Sequence, residues 1–300
     1  MDMTQNKCCR HGASLRRRRR RRRKILRSII FSCSIIAVAV FVAVGSRMIR
    51  SGDGRTNKYD VEAGNNTYDN AVIENSKISE KNKIQNNQSM LDDIMNSTQY
   101  PKQLKDLALK NEEALEFVYD YPAEHVKEHT IDLTEEASMD SVPLFVQWDK
   151  RWGYEKYSGN FFAASGCGPT TLSMVVVYLT HNREASPIAV AKYSKEAGYS
   201  VDGSGSSWTL ISEGCRHYGV NAKTIKEDED TFKERLDEGN LIVVNVGPGD
   251  FTDNGHFMVI TGYDDEGFTI NDPNSIIKSN THWQFERLSS QIRAAWRMFV

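Results

Sequence analysis

Near residue 240 the apolar residues of this chain change their period, and that change leaves few fold classes open. Before it, "GPTTLSMVVVYLTHN" (168–182), "SPIAVAKYSKEAGY" (186–199), "SSWTLISEGCRHYG" (206–219) and "DEDTFKERLDEGN" (228–240) space their apolar residues as helices do. Ser186 and Pro187 suit a helix start, and Gly219 a helix stop. After it, "LIVVNVG" (241–247) reads as a buried strand. "HFMVITGY" (256–263) and "GFTIND" (267–272) flank the turn signal "DDEG" and read as a hairpin. Helices first and strands second predict an α+β domain over 138–300 with an antiparallel sheet. The stretch "VPLFVQW" (142–148) is strand-like and opens this domain.

Upstream the chain changes character. "YPKQLKDLALKNEEALEFVYDYP" predicts a pair of helices, with Leu104, Leu107 and Ala108 as one buried stripe and Leu115, Val118 and Tyr119 as the next. Asn111 suits a cap ahead of Glu112 and Glu113, and Pro122 ends the pair. Residues 100–137 are therefore a helical lead-in. His125 and His129 share a helical spacing, but no third ligand is in reach, so no metal is expected. Residues 47–99 are rich in Asn, Ser, Lys and Glu, and the expectation is a disordered polar linker.

Net charge is −2, yet residues 1–50 carry fourteen Lys/Arg and one acid. The arginine run 16–23 lies in a basic segment, 1–27. Behind it, residues 28–46, "SIIFSCSIIAVAVFVAVGS", hold no charge. Nineteen apolar or small residues suffice to cross a hydrocarbon core of roughly 30 Å as a helix. A basic tract alone would suit nucleic acid, but the apolar segment directly behind it argues for a membrane and against nucleic acid. The expectation is a single-pass signal-anchor with a cytoplasmic N-terminus and an extracytoplasmic domain. The alternative is a signal peptide cleaved near Ser46, with a secreted product.

Of five cysteines, Cys167 and Cys215 fall in the predicted outer region, too few for a disulfide-dependent fold. Cys215 sits on a helical apolar face and reads as a buried hydrophobe, although a Cys167–Cys215 bridge stays open. Cys167 is different. It lies in "SGCGPTT", where Pro169 can occupy a first helical turn, so the thiol stands at a helix N-terminus that favours thiolate. A nucleophile needs a base, and His256 at the start of a strand is the candidate. Asp272, across the hairpin, would orient the imidazole. Asn271 is the alternative, since register cannot be read to one residue. Gln147 can give an amide N–H to an oxyanion, beside the backbone N–H of Cys167.

Taken in this order, the segments "VPLFVQWDKRWG" (142–153), "SGCGPTTLSMVV" (165–176), "DGSGSSW" (202–208), "GPGDFTDNGHFMVITGYDDEGFTINDPNS" (247–275) and "FERLSSQIRAAW" (285–296) resemble the papain-like cysteine peptidases. Most of all they resemble the double-glycine leader peptidase-like family. The resemblance spans about 100–300. It implies a papain-like fold, with N-terminal helices carrying the nucleophile packed on an antiparallel β-sheet carrying His and Asp. It further implies Gln147 in the oxyanion hole, Cys167 as nucleophile, His256 as base and Asp272 as orienting acid. No metal and no cofactor are implied, and the family does not fix the substrate; the expectation is a peptide or protein, secreted or cell-wall associated. A monomer is expected. Two further readings stay open: a non-catalytic binding module on the same scaffold, and an enzyme that transfers the acyl group to an amine.

Overall fold

A computed structural model describes residues 66–300. The basic segment 1–27, the uncharged segment 28–46 and the start of the linker lie outside the described residues. Among the described residues no helix is long and apolar enough to cross a membrane. Residues 73–300 form one compact unit, which holds the sheet and the site described below.

Five strands form one antiparallel sheet: β5 (Asn221–Thr224), β6 (Leu241–Val246), β7 (His256–Asp264), β8 (Gly267–Asn271) and β9 (Ile292–Phe299), in the order β5-β9-β6-β7-β8. Two short hairpins precede it, β1–β2 (Lys156–Tyr157, Asn160–Phe161) and β3–β4 (Ser200–Val201, Gly205–Ser206). The sheet is covered on both faces. Val243, Val259 and Trp296 pack into one cluster with Leu172, Val175 and Val176, while Ile242, Val244 and Ile260 pack into another with Phe232, Phe251 and Trp283. That is why β6 reads as a continuous apolar run: each of its residues is buried whichever way it points. The β7–β8 hairpin closes at Asp264↔Gly267, as the turn signal predicts.

Among the helices, α1 (Asn66–Asn96), α2 (Lys102–Lys110) and α3 (Leu115–Tyr119) precede α4 (Cys167–Thr180), α5 (Pro187–Glu196), α6 (Glu229–Asp237) and α7 (Ile276–Ser279). Ten consecutive residues of α4, Gly168 to Val177, are buried, so this helix is the spine of the domain. Ser186 caps α5 and Asp228 caps α6 through their side-chain oxygens. The mixed helix and antiparallel-sheet architecture is the α+β class predicted.

Three expectations need correction. The linker expected to be disordered over 47–99 contains α1, and Met90, Leu91 and Ile94 at its end pack with Leu104, Leu107, Leu115 and Phe117. Average polarity hid those apolar residues, which recur on one helical face. The stretch 142–148 is not a strand: residues 142–146 belong to no helix or strand, and 147–148 lie in a turn. Its backbone is satisfied otherwise: Asn271 Nδ2 donates to the carbonyls of Val142 and Pro143 (3.3 and 3.0 Å), and Gln147 N–H donates to the Pro273 carbonyl (2.7 Å). The helix expected over 206–219 splits into Thr209–Ser212 and a 3-10 turn, Gly214–Tyr218. Gly214 interrupts it, and a Cβ there would sit 3.0 Å from the Tyr199 ring.

Candidate active site

Cys167 is the first residue of α4 and is half-buried. The flanking glycines are there for approach, since neither has a left-handed backbone. A Cβ at Gly166 would fall 2.6 Å from the Phe162 ring, and one at Gly168 would fall 2.6 Å from Ser206 Oγ. The nucleophile turn is thus wedged between an aromatic ring and the β3–β4 hairpin. Thr171, one turn further along α4, donates its hydroxyl to the Phe257 carbonyl (3.0 Å). That bond pins the helix bearing Cys167 to the strand bearing His256.

His256 opens β7 opposite Val246. Its Nε2 lies 2.7 Å from Asp272 Oδ1, with the histidine 5% and the aspartate 0% exposed, so the pair is shut away from water. With Nε2 engaged, Nδ1 is the ring nitrogen left for the thiol. Burial alone would push His256 down, but the Asp272 carboxylate, and after it Cys167, push it up to about 10. Burial alone would push the Cys167 thiol up. The hydrogen bond and charge of His256, with the backbone of Phe257 and Gly168, outweigh that and hold the thiol below its ordinary value. The arrangement favours thiolate over thiol at Cys167 and imidazolium over imidazole at His256.

Asp272 follows β8 directly. Its Oδ1 also accepts from the Asn274 N–H (2.8 Å), and its own N–H donates to Ser279 Oγ (2.9 Å). Oδ2 is buried with no hydrogen-bond partner among the described residues. Asn271 faces the other way, toward Val142 and Pro143. The register left open by the sequence therefore places Asp272, not Asn271, against His256.

Gln147 is buried beside the same turn. Its Nε2 donates to the Ala163 carbonyl (2.7 Å), four residues ahead of Cys167, and lies 3.4 Å from Asn274 Oδ1. One amide hydrogen is thus committed and the other is loosely held. His256 thus meets both Asp272 and Cys167, and Gln147 lies beside them through the Ala163 carbonyl and Asn274. Cys215 is free, as is Cys167, and burial pushes its thiol up to about 11, so it is an inert core residue.

The sequence reading missed Thr171 and Asn274. Thr171 is a polar residue inside an apolar helix, a signal that was available. Asn274 in "NDPN" read only as turn chemistry.

Residues 139–300 match the Peptidase_C39 like family. Among solved structures, the chain is similar to the peptidase domain of Streptococcus ComA, described as a bi-functional ABC transporter involved in a quorum-sensing pathway. Identity is 21%, over 53% of this chain and 96% of that one, with a TM-score of 0.39. It is also similar to a double glycine motif protease from an AMS/PCAT transporter in complex with its leader peptide. There identity is 18%, over 54% of this chain and 94% of that one, with a TM-score of 0.35. No curated protein sequence matches the chain.

Proposed function

The chain belongs to the peptidase C39-like family and is a cysteine peptidase, and on that premise we propose that Cys167, His256 and Asp272 are its catalytic triad. Gln147 and the Cys167 N–H form its oxyanion hole. The observation that carries this reading is the buried 2.7 Å His256–Asp272 contact beside a thiol at a helix N-terminus.

The Cys167 thiolate attacks the carbonyl carbon of the scissile amide, forming a C–S bond. The carbonyl oxygen takes up the negative charge and is held by the Cys167 N–H and the loosely held hydrogen of Gln147 Nε2. His256 Nδ1 gives its proton to the amine nitrogen as the C–N bond breaks, and the amine leaves. Neutral His256 then takes a proton from water, which attacks the acyl-enzyme. The acid product departs and the thiolate–imidazolium pair is restored. Asp272 holds the ring tautomer throughout and stabilises the imidazolium.

Alkylation tests the pair without knowledge of the substrate. Iodoacetamide labelling of Cys167, followed by peptide mass across pH, should begin well below the range of an ordinary thiol. A profile tracking a single ionisation near ~8.5 would overturn the reading.

The uncharged segment 28–46 behind the basic segment 1–27 supports a single-pass anchor with the peptidase domain outside the cytoplasm. The substrate is then a peptide or protein segment on that outer side. Protease treatment of intact cells should digest epitopes placed in 139–300. Protection there, with digestion only after lysis, would overturn this topology.

A further inference from the structure

The loop after β8 is held by a part of the chain outside the family match. Glu113, in the lead-in, accepts from Ser275 Oγ through Oε1 and from the N–H groups of Ile276 and Ile277 through Oε2 (2.8 and 3.0 Å). These N–H groups open α7, where no intrahelical acceptor exists for them. Two residues earlier, Asn111 Nδ2 donates to both the carbonyl and Oδ1 of Asn274 (2.9 and 3.1 Å). The other end of the Asn111 amide accepts from the Glu113 N–H (3.0 Å), so the two side chains are fixed as a unit.

What they grip matters. Asn274 N–H donates to Asp272 Oδ1, the oxygen that faces His256. Asn274 Oδ1 is also the neighbour of Gln147 Nε2. On its other side the lead-in packs into one cluster with Phe161 and Ala163, and the Ala163 carbonyl is the acceptor of Gln147. One helical segment therefore braces both the loop that carries Asp272 and the turn that leads to Cys167.

We propose that Asn111 and Glu113 are positioning residues for the peptidase reaction, clamping residues 272–277 so that Asp272 stays seated against His256. The proposal rests on the triad reading above. It makes the working peptidase longer than the 139–300 match, with the lead-in as an integral brace. Neither residue touches the reacting atoms. The ionisable groups that face His256 are Asp272 and Cys167, so Glu113 acts only through the loop.

The test uses the full chain and the pH profile of Cys167 alkylation. Loosening the loop weakens the Asp272–His256 contact, lowers the charge on His256 and returns the thiol toward its ordinary value. Glu113→Ala should move the acid limb of the profile upward by about one pH unit, and cut labelling at acidic pH about ten-fold. Glu113→Gln, which keeps one acceptor oxygen, should shift it less. Once a cleaved peptide is in hand, kcat should fall with KM unchanged. An unshifted limb, or a loss of labelling equal at all pH values, would overturn the clamp. If Glu113→Ala does not fold, Glu113→Gln and Ser275→Ala are compared singly and together. Non-additive limb shifts support the clamp, and additive ones overturn it. A wild-type profile like that of a free thiol would instead sink the triad reading, and the clamp with it.

Discussion

On the triad proposed above, Cys167→Ala is expected to abolish peptide-bond hydrolysis, and His256→Ala to lower it by a factor on the order of 10⁴ or more. The first removes the sulfur that forms the acyl-enzyme in the proposed mechanism. The second removes both the proton donor for the leaving amine and the charge that holds the thiolate. Because the two act as one unit, the double variant is no worse than Cys167→Ala alone. Gln147→Ala behaves differently. It leaves the thiolate in place and removes one oxyanion donor, so kcat falls by about 10²–10³ while Cys167 alkylation at neutral pH is retained. The measurement is kcat/KM on a peptide selected from a library digest, with alkylation in parallel. Residual turnover in Cys167→Ala, under conditions that exclude a contaminating peptidase, would remove Cys167 from the mechanism.

Asp272→Asn separates charge from geometry. The amide oxygen can keep both bonds made by Oδ1, to His256 Nε2 and to the Asn274 N–H. The new NH2 group takes the place of Oδ2, which has no partner among the described residues, and an unpaired buried donor there costs about 1–3 kcal/mol. The protein should fold, but the charge that pushes His256 up to about 10 is gone. The basic limb of the activity profile then moves down in pH and the acid limb moves up, so the active window narrows from both sides. The same contact sets a pH dependence of stability. In the wild type His256 is protonated up to about 10 when folded, against about 6.5 when unfolded. Its contribution is therefore full below that lower value and is lost as pH rises through the upper one. Asp272→Asn should flatten this dependence, as read by thermal melts at pH 6 and pH 10. A wild-type-like slope in the variant would show that Asp272 does not set the state of His256.

Which parts of this were legible in the sequence follows from the physics of each signal. The β7–β8 hairpin was readable because two apolar runs flank a polar turn, and its pairing brings Asp272 to His256. Cys167 was readable because Gly, Pro and an apolar run mark a helix start. The choice between Asn271 and Asp272 was not, because a shift of one residue reverses every side chain on a strand. The segment 142–148 misled for a related reason. Burial of Phe145 produces a strand-like pattern, while the hydrogen bonds that would have revealed the missing partner strand go to Asn271 and Pro273. Asn111 was legible as a helix cap, which it is. That its other amide end reaches Asn274 was not, since nothing local encodes a contact 163 residues away.

The position of β9 bears on when this enzyme becomes dangerous to its surroundings. This strand is made after every other strand of the sheet, yet it lies between β5 and β6 rather than at an edge. The grip of the lead-in on residues 274–277 is likewise completed across 162–164 residues. Contacts of such range form late, because a long loop must be closed before any of them stabilises the chain. His256, Asp272 and β9 all follow Cys167 in the chain, so on the triad proposed above a nascent or truncated chain would carry Cys167 as an ordinary thiol, and its reactivity would rise only as the sheet closes.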